Sequence, residues 1–280
     1  MSVEAGASWS HGDLKFHGMS LSGIRTCIAM PELSLAFDVA QGFPFSLNLK
    51  HFFLSHGHLD HSAGIPYIIS QKAMTSQAPA HFYMPKSLVD PMQRIMNIWM
   101  EIEKHTYEFH FHGVEENEII PVGQNLFIKP FKTIHRVDSL GYTLFQKKRK
   151  LKKEFCNLSQ NEIVDLKNKG VTLQDDLETP LVSFTGDTQI EFLDQCDWVK
   201  KSKVLFLEAT YLDERKLVSS AREWGHTHLD EIIPRLDTLE CEKIVIIHVS
   251  SRYPTPEATK ILTAKIPERF KDRVVLFPGR

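Results

Sequence analysis

Apolar and polar residues alternate with period two over Leu14-Lys15-Phe16-His17 and again over Leu33-Ser34-Leu35-Ala36-Phe37-Asp38. That is the pattern of strands with one buried face. Gly23 to Met30 forms a further strand between them. Lys50-His51-Phe52-Phe53-Leu54 is apolar without alternation and reads as a short buried strand. The period then changes. Residues 65–77 and 86–103 carry apolar positions at helical spacing, separated by a strand at His81-Phe82-Tyr83-Met84 with Pro85 at the boundary. Met92, Ile95, Met96 and Trp99 share one helical face, the ordinary signature of a core-facing helix. Later strands are expected at 125–133, at Pro180 to Thr188, at Lys203 to Leu207 and at Ile244 to His248. Strands interleaved with helices place the chain in the α/β class.

The stretch that organises this pattern is Ser55-His56-Gly57-His58-Leu59-Asp60-His61-Ser62. Three imidazoles and a carboxylate fall within six residues, on the turn between a buried strand and a helix. Imidazole and carboxylate together suit borderline cations such as zinc, and one short loop can present several ligands at once. A lone histidine there would be a polar loop residue, and Asp60 alone could serve the helix dipole. The spacing His-x-His-x-Asp-His favours a metal site.

Composition narrows the class without redirecting it. At 280 residues, 42% hydrophobic and 24% charged, the chain has ample material for one large core. A net charge of −2 offers no global argument for nucleic acid, so any such surface must be local. No run of eighteen apolar residues occurs, so no membrane span is expected. Residues 1–13 are polar, lack a signal-peptide core and are expected to be disordered, leaving 14–280 as a single domain. Cys27, Cys156, Cys196 and Cys241 are far apart and form no Cys-x-x-Cys; they read as reduced thiols of a cytoplasmic protein. No internal repeat is visible.

Further candidates lie at strand ends. Asp38 is either a turn residue or a carboxylate that orients a histidine of the next loop. His135 ends one strand, Asp187 follows Gly186 at the end of another, and His248 ends a fully apolar run. A His-x-His pair needs a third protein ligand, and His135 is the choice. Asp187 could be a turn residue, or could bridge two ions through its two oxygens. His110-Phe111-His112 also spells His-x-His, but no carboxylate or third histidine follows closely. It reads as a solvated strand face opposite Phe109 and Phe111. Residues 145–180 form a distinct basic arm. Lys147, Lys148, Arg149, Lys150, Lys152 and Lys153 make its most basic run, and Ser159-Gln160-Asn161-Glu162 looks like a capping box. The run is either a solvated edge that discourages aggregation or a strip for phosphates; its density in a near-neutral protein favours the second.

His-x-His-x-Asp-His resembles the signature of the metallo-β-lactamase superfamily, which implies a four-layered αββα sandwich with metals at one edge of its two sheets. The match narrows through Thr185-Gly186-Asp187-Thr188, Glu208-Ala209-Thr210, Gly225-His226 and His248-Val249-Ser250-Ser251-Arg252-Tyr253, and through His135 followed by Ser139-Leu140-Gly141-Tyr142. Together these resemble tRNase Z (ribonuclease Z), short form, most like plant members, from about Gly23 to the C-terminus. The Gly-Pro-rich arm common in the family has no counterpart between His135 and Asp187, the Pro-Ser-x-x-Arg element of bacterial members is missing, and Leu207 stands where many members carry histidine.

The resemblance implies two Zn²⁺ per chain. His56, His58 and His135 would hold one, and Asp60, His61 and His248 the other, with Asp187 bridging. It implies hydroxide attack on a phosphodiester, with Asp60 in the catalytic set, His226 protonating the departing oxygen and Glu208 holding the other ring nitrogen of His226. The implied substrate is precursor tRNA, cut to release its 3′ trailer, with the basic run and Arg252 on the RNA; the implied assembly is a homodimer. Two other readings compete: a hydrolase of the same fold acting on a small phosphodiester or ester, and a non-catalytic binding protein that keeps the fold.

Overall fold

The computed structural model describes residues 6–278. Two seven-stranded sheets stack face to face. The first contains β1 (Ala7–His11), β2 (Leu14–Leu21), β3 (Arg25–Met30), β4 (Leu35–Phe37), β5 (His51–Phe53), β6 (His81–Pro85) and β7 (His110–Val114), in that order across the sheet. The second runs from β8 (Ile120–Gly123) through β9 (Leu126–Lys132), β10 (Leu140–Leu151), β11 (Gln174–Phe184), β12 (Val204–Glu208) and β13 (Lys243–Ile247) to β14 (Val274–Leu276). Each sheet begins with four antiparallel strands and ends with parallel pairings. The two halves therefore share one strand layout, although the sequence shows no repeat.

Three apolar cores define four layers. Phe16, Phe37, Phe53, Tyr142, Phe184 and Phe206 fill the space between the sheets. Phe37 stacks on Phe184 across that space at 5.1 Å. The helices α1 (Leu59–Ser62), α2 (Ile65–Met74) and α3 (Lys86–Glu103) follow β5 and β6. Ile65, Ile68, Met92 and Met96 of α2 and α3 pack with Phe52 and Phe82 on the outer face of the first sheet. The second sheet's outer face is covered by α5 (Asp197–Lys200), α6 (Val218–Glu223), α7 (Leu229–Ile232) and α8 (Thr255–Lys265). Val199, Leu229, Ile232 and Leu262 pack there against Leu205, Leu207 and Ile246. The Leu207 side chain is wholly committed to this core. Central strands read as unbroken apolar runs because both their faces are covered.

The arm projects from the second sheet. Strand β10 is buried from Leu140 to Phe145 and then emerges into solvent. With β11 it forms a long hairpin that carries α4 (Gln160–Asn168). Ser159 caps α4 and Glu162 closes the capping box, as the Ser-x-x-Glu spacing predicts.

Two expectations change. Residues 7–11 are not disordered: they form β1 and pair antiparallel with β2, from Ala7 opposite Gly18 to His11 opposite Leu14. Trp9 supplies the reason, because its ring packs on Phe16 and Phe206 and so closes the inter-sheet core. Residues 1–5 lie outside the described residues. The pair His110 and His112 is not simply a solvated face. Register pairing sets His51 beside His81 and His81 beside His110, and His112 stacks on Tyr83. The result is a ladder of four imidazoles, exposed at His110 and half-buried at His51, His81 and His112, with His81 Nδ1 3.0 Å from His112 Nε2. It lies at the N-terminal ends of β5 to β7, the edge away from the loop that follows β5.

Candidate metal centre

The loops at the C-terminal ends of β4, β5, β9, β11, β12 and β13 deliver the candidate side chains to one sheet edge. His56, His58, Asp60 and His61 follow β5; His135 follows β9; Asp187 follows β11; Glu208 ends β12; His248 follows β13. Ligands in a crevice outside the carboxyl ends of parallel strands are the usual arrangement of open α/β sheets. Among the described residues three overlapping constellations result. His56, His58, His135 and Asp187 form one, Asp60, His61 and His248 form the second, and Asp187, Glu208, His226 and His248 form the third; the first two hold the loop histidines.

Their geometry fits cations. His61 Nε2 lies 3.4 Å from both Asp60 Oδ2 and Asp187 Oδ1. His248 Nε2 lies 3.5 and 3.3 Å from the same two oxygens. Ligands about 2.0–2.1 Å from a tetrahedral ion stand roughly 3.3–3.4 Å from one another. In the first group His56 Nε2 is 3.0 Å from His58 Nδ1, and His135 Nε2 is 3.3 Å from the same atom. Asp187 turns Oδ2 toward His56 at 3.7 Å while Oδ1 faces the second group, so one carboxylate touches both. His61 Nε2, His248 Nε2 and Asp187 Oδ1 are fully buried and have no hydrogen-bond partner among the described residues. Orphaned polar atoms of this kind are costly. Three converging on one point are the expected face of a cation site.

Outer contacts orient nearly every ring. Asp38, completely buried, accepts from His61 Nδ1 at 2.7 Å and from the backbone N–H and hydroxyl of Ser55. Of its two readings, the orienting carboxylate is therefore the observed one. Ser55 Oγ also meets His56 Nδ1 at 2.9 Å. His135 Nδ1 donates to the Gly225 carbonyl at 2.8 Å, and His248 Nδ1 lies 3.1 Å from Thr210 Oγ1. Such partners fix the tautomer and aim the free nitrogen inward. The aim of His248 requires a left-handed backbone, φ 56°, held by Ser20 Oγ, which accepts from its N–H at 2.9 Å. Ser20 is a buried polar residue that no local sequence pattern flags; Ser55 and Thr210 fall within the quoted motifs, but their part in orienting the rings appears only in the fold.

The electrostatics follow from burial and neighbours. Burial first, then adjacent imidazoles, keeps His56 and His58 below the usual histidine range, and burial does the same for His135. These rings are thus neutral, as ligation requires. His61 is also buried, but Asp187 and Asp38 outweigh that and raise it. Burial would raise Asp187, yet the rings of His248 and His61 hold it well below the carboxylate range.

His226 lies between α6 and α7, with Nδ1 3.0 Å from Glu208 Oε1. Glu208 is wholly buried and also accepts from Thr188 N, Thr210 N and Thr210 Oγ1. Burial of His226 opposes its protonation, but the Glu208 charge and hydrogen bond, with Asp187, push it up to about 9. The shift favours the protonated ring, the state a proton donor needs.

The basic run is elsewhere. Its strand pairs with the acidic stretch of β11: Arg149 stands opposite Asp176 and Lys150 opposite Asp175. Lys147 and Arg149 share Asp176 at 2.8 and 3.8 Å. Among the described residues, Lys148, Lys150, Lys152 and Lys153 have no ion pair. The uniform cationic strip expected from sequence is thus partly neutralised by its own partner strand. Arg252 is exposed in the turn after His248.

A β-lactamase superfamily domain model matches residues 40–249. The tRNase Z TRZ1 of Arabidopsis thaliana is 34% identical over 259 residues, covering 92% of this chain and 92% of that protein. The chloroplastic tRNase Z TRZ2 of the same plant is 29% identical over 243 residues, covering 86% of this chain and 68% of the relative. The crystal structure of human tRNase Z, short form, superposes with a TM-score of 0.56 at 20% identity, covering 85% of this chain and 92% of that one.

Proposed function

This chain belongs to the tRNase Z family of the β-lactamase superfamily, and from that membership we propose that it is an endoribonuclease removing the 3′ trailer from precursor tRNA. The observation that carries the reading is Asp187. One buried carboxylate faces both donor groups and lies 3.8 Å from His226 Nδ1, so the donors and the proton source converge on a single side chain. The proposal includes two Zn²⁺ per chain. His56, His58 and His135 would hold one, and Asp60, His61 and His248 the other, with Asp187 shared. Ions so placed supply an activated water and neutralise charge on the phosphoryl oxygens.

The chain's own residues do the rest. Asp38 and Ser55 keep His61 and His56 aimed inward. Glu208 holds the Nδ1 proton of His226, leaving Nε2 with no other hydrogen bond among the described residues. His226 donates from Nε2 to the departing ribose 3′-oxygen, because an alkoxide leaves poorly without a proton. The unpaired lysines of the arm, with Arg252, would meet the RNA backbone. A reducing cytoplasmic compartment and a homodimeric assembly belong to the same proposal; the four free thiols support the first.

A 5′-labelled precursor tRNA tests it. The product should end in a 3′-hydroxyl at the mature boundary, cleavage should stop with chelator, and Zn²⁺ should restore it. Hydrolysis of small phosphodiesters with no cut in precursor tRNA would support the rival hydrolase instead.

A further inference from the structure

Next to this centre lies a pair of side chains that the chemistry above does not use. Arg136 follows the ligand His135, and Trp224 lies two residues before His226. The Arg136 guanidinium carbon sits 4.6 Å from the centroid of the Trp224 ring. We propose that Arg136 and Trp224 form a seat for the nucleotide on the leaving-group side of the scissile phosphate, the exposed indole stacking its base and the guanidinium edge meeting a phosphate oxygen. The proposal rests on the ribonuclease reading and says how that site holds its substrate.

The pair is fixed relative to the reacting groups. His135 Nδ1 donates to the carbonyl of Gly225, the residue between Trp224 and His226. Gly225 has φ +76°, and a Cβ there would come within 2.7 Å of His135 Nδ1 and 3.0 Å of the Arg136 nitrogen. Glycine alone permits this approach, so the segment bearing Trp224 is pinned to the segment bearing Arg136. The His135 and His226 rings are 5.2 Å apart. A base on the Trp224–Arg136 pair is therefore on the side of the proton donor, where the departing 3′-oxygen must lie.

Exposure points to a ligand rather than to packing. Trp224 is 52% exposed, and Arg136 is exposed with no ion pair among the described residues. Arg215, which stacks on Tyr253 in a similar way, is instead tied to Asp213 and Glu257. An exposed cation–π contact adds little to the stability of a fold. An indole face offers a base more, and a free guanidinium edge can take a phosphate oxygen at the same time. Leu59, between ligands His58 and Asp60, is 76% exposed and adds apolar surface beside the metal loop. Stacking is indifferent to base identity, so the seat would position any nucleotide rather than read it.

The test pairs protein and substrate changes. Trp224→Ala should lower kcat/KM on precursor tRNA by roughly 5- to 150-fold, the range for removing one stacked base, while melting temperature and metal content stay at wild-type values. Trp224→Phe should recover most of the loss. A precursor with an abasic nucleotide immediately 5′ of the cut should slow the wild type by a similar factor, and on it Trp224→Ala should cost nothing further. Equal losses on intact and abasic substrates, or no loss on the intact one, would overturn the seat while leaving the ribonuclease reading in place. A wild type that does not cut precursor tRNA overturns both.

Discussion

The arm makes a prediction that the basic run by itself would misjudge. Six cations in seven residues suggest six phosphate contacts, but the hairpin cancels part of them. Asp176 holds Lys147 and Arg149, while Lys148, Lys150, Lys152 and Lys153 have no ion pair among the described residues. The perturbation is Lys148→Ala, Lys150→Ala and Lys152→Ala together, with the first two exposed and the third half-buried. Removal of one phosphate interaction flattens the log–log dependence of affinity on salt by about 0.7–0.9. Three give a change of about 2–3 in slope, so raising salt from about 50 to about 200 mM costs the variant roughly 30-fold less affinity than it costs the wild type. Asp176→Asn should act in the opposite direction. It frees Lys147 and Arg149, and should tighten binding at low salt and steepen the slope. Fluorescence titrations of precursor tRNA across a series of salt concentrations read both effects. Superimposable curves for wild type and both variants would refute the reasoning and return the strip to a soluble edge.

Other expectations are as direct. His226→Ala should keep its metal while cleaving RNA about 10²–10⁴-fold more slowly, with a smaller loss on a nitrophenyl phosphodiester whose leaving group needs no proton; equal losses would assign the ring to phosphate positioning. Asp38→Asn should weaken metal binding about 10- to 100-fold, because His61 loses its charged partner; unchanged affinity in a competition titration would remove Asp38 from the centre. Burial, with His81 and Lys50 nearby, pushes His51 down to about 4. Between the ordinary histidine value and that one, the unfolded chain takes up a proton that the folded ladder refuses, so stability falls as pH falls. The loss is on the order of 1–3 kcal/mol for a partly solvated ring, whose interactions water screens. Urea denaturation should show a shallower decline in His51→Gln, and a parallel decline would clear His51 of the effect.

Much of the centre is legible along the chain itself. His56, His58, Asp60 and His61 fall in six residues because one strand-to-helix turn supplies them, and local spacing records local geometry. His135, Asp187 and His248 stand out because each ends an apolar run, and a strand end is a place at a sheet edge whatever its neighbours. The Ser159 capping box is readable for the same reason: donor and acceptor are three residues apart. What stays hidden depends on partners that only pairing reveals. Residues 7–11 look too polar for a strand until Trp9 finds Phe206. His51, His81, His110 and His112 become a ladder only when three parallel strands align in register. Asp176 neutralises Arg149 because an antiparallel hairpin sets them opposite each other. Glu208 reaches His226 and Gly225 reaches His135 across 18 and 90 residues. A side-chain period says which face a residue takes. Which element lies across from that face is decided by the cooperative burial of two sheets against each other, a property of the whole chain rather than of any window along it.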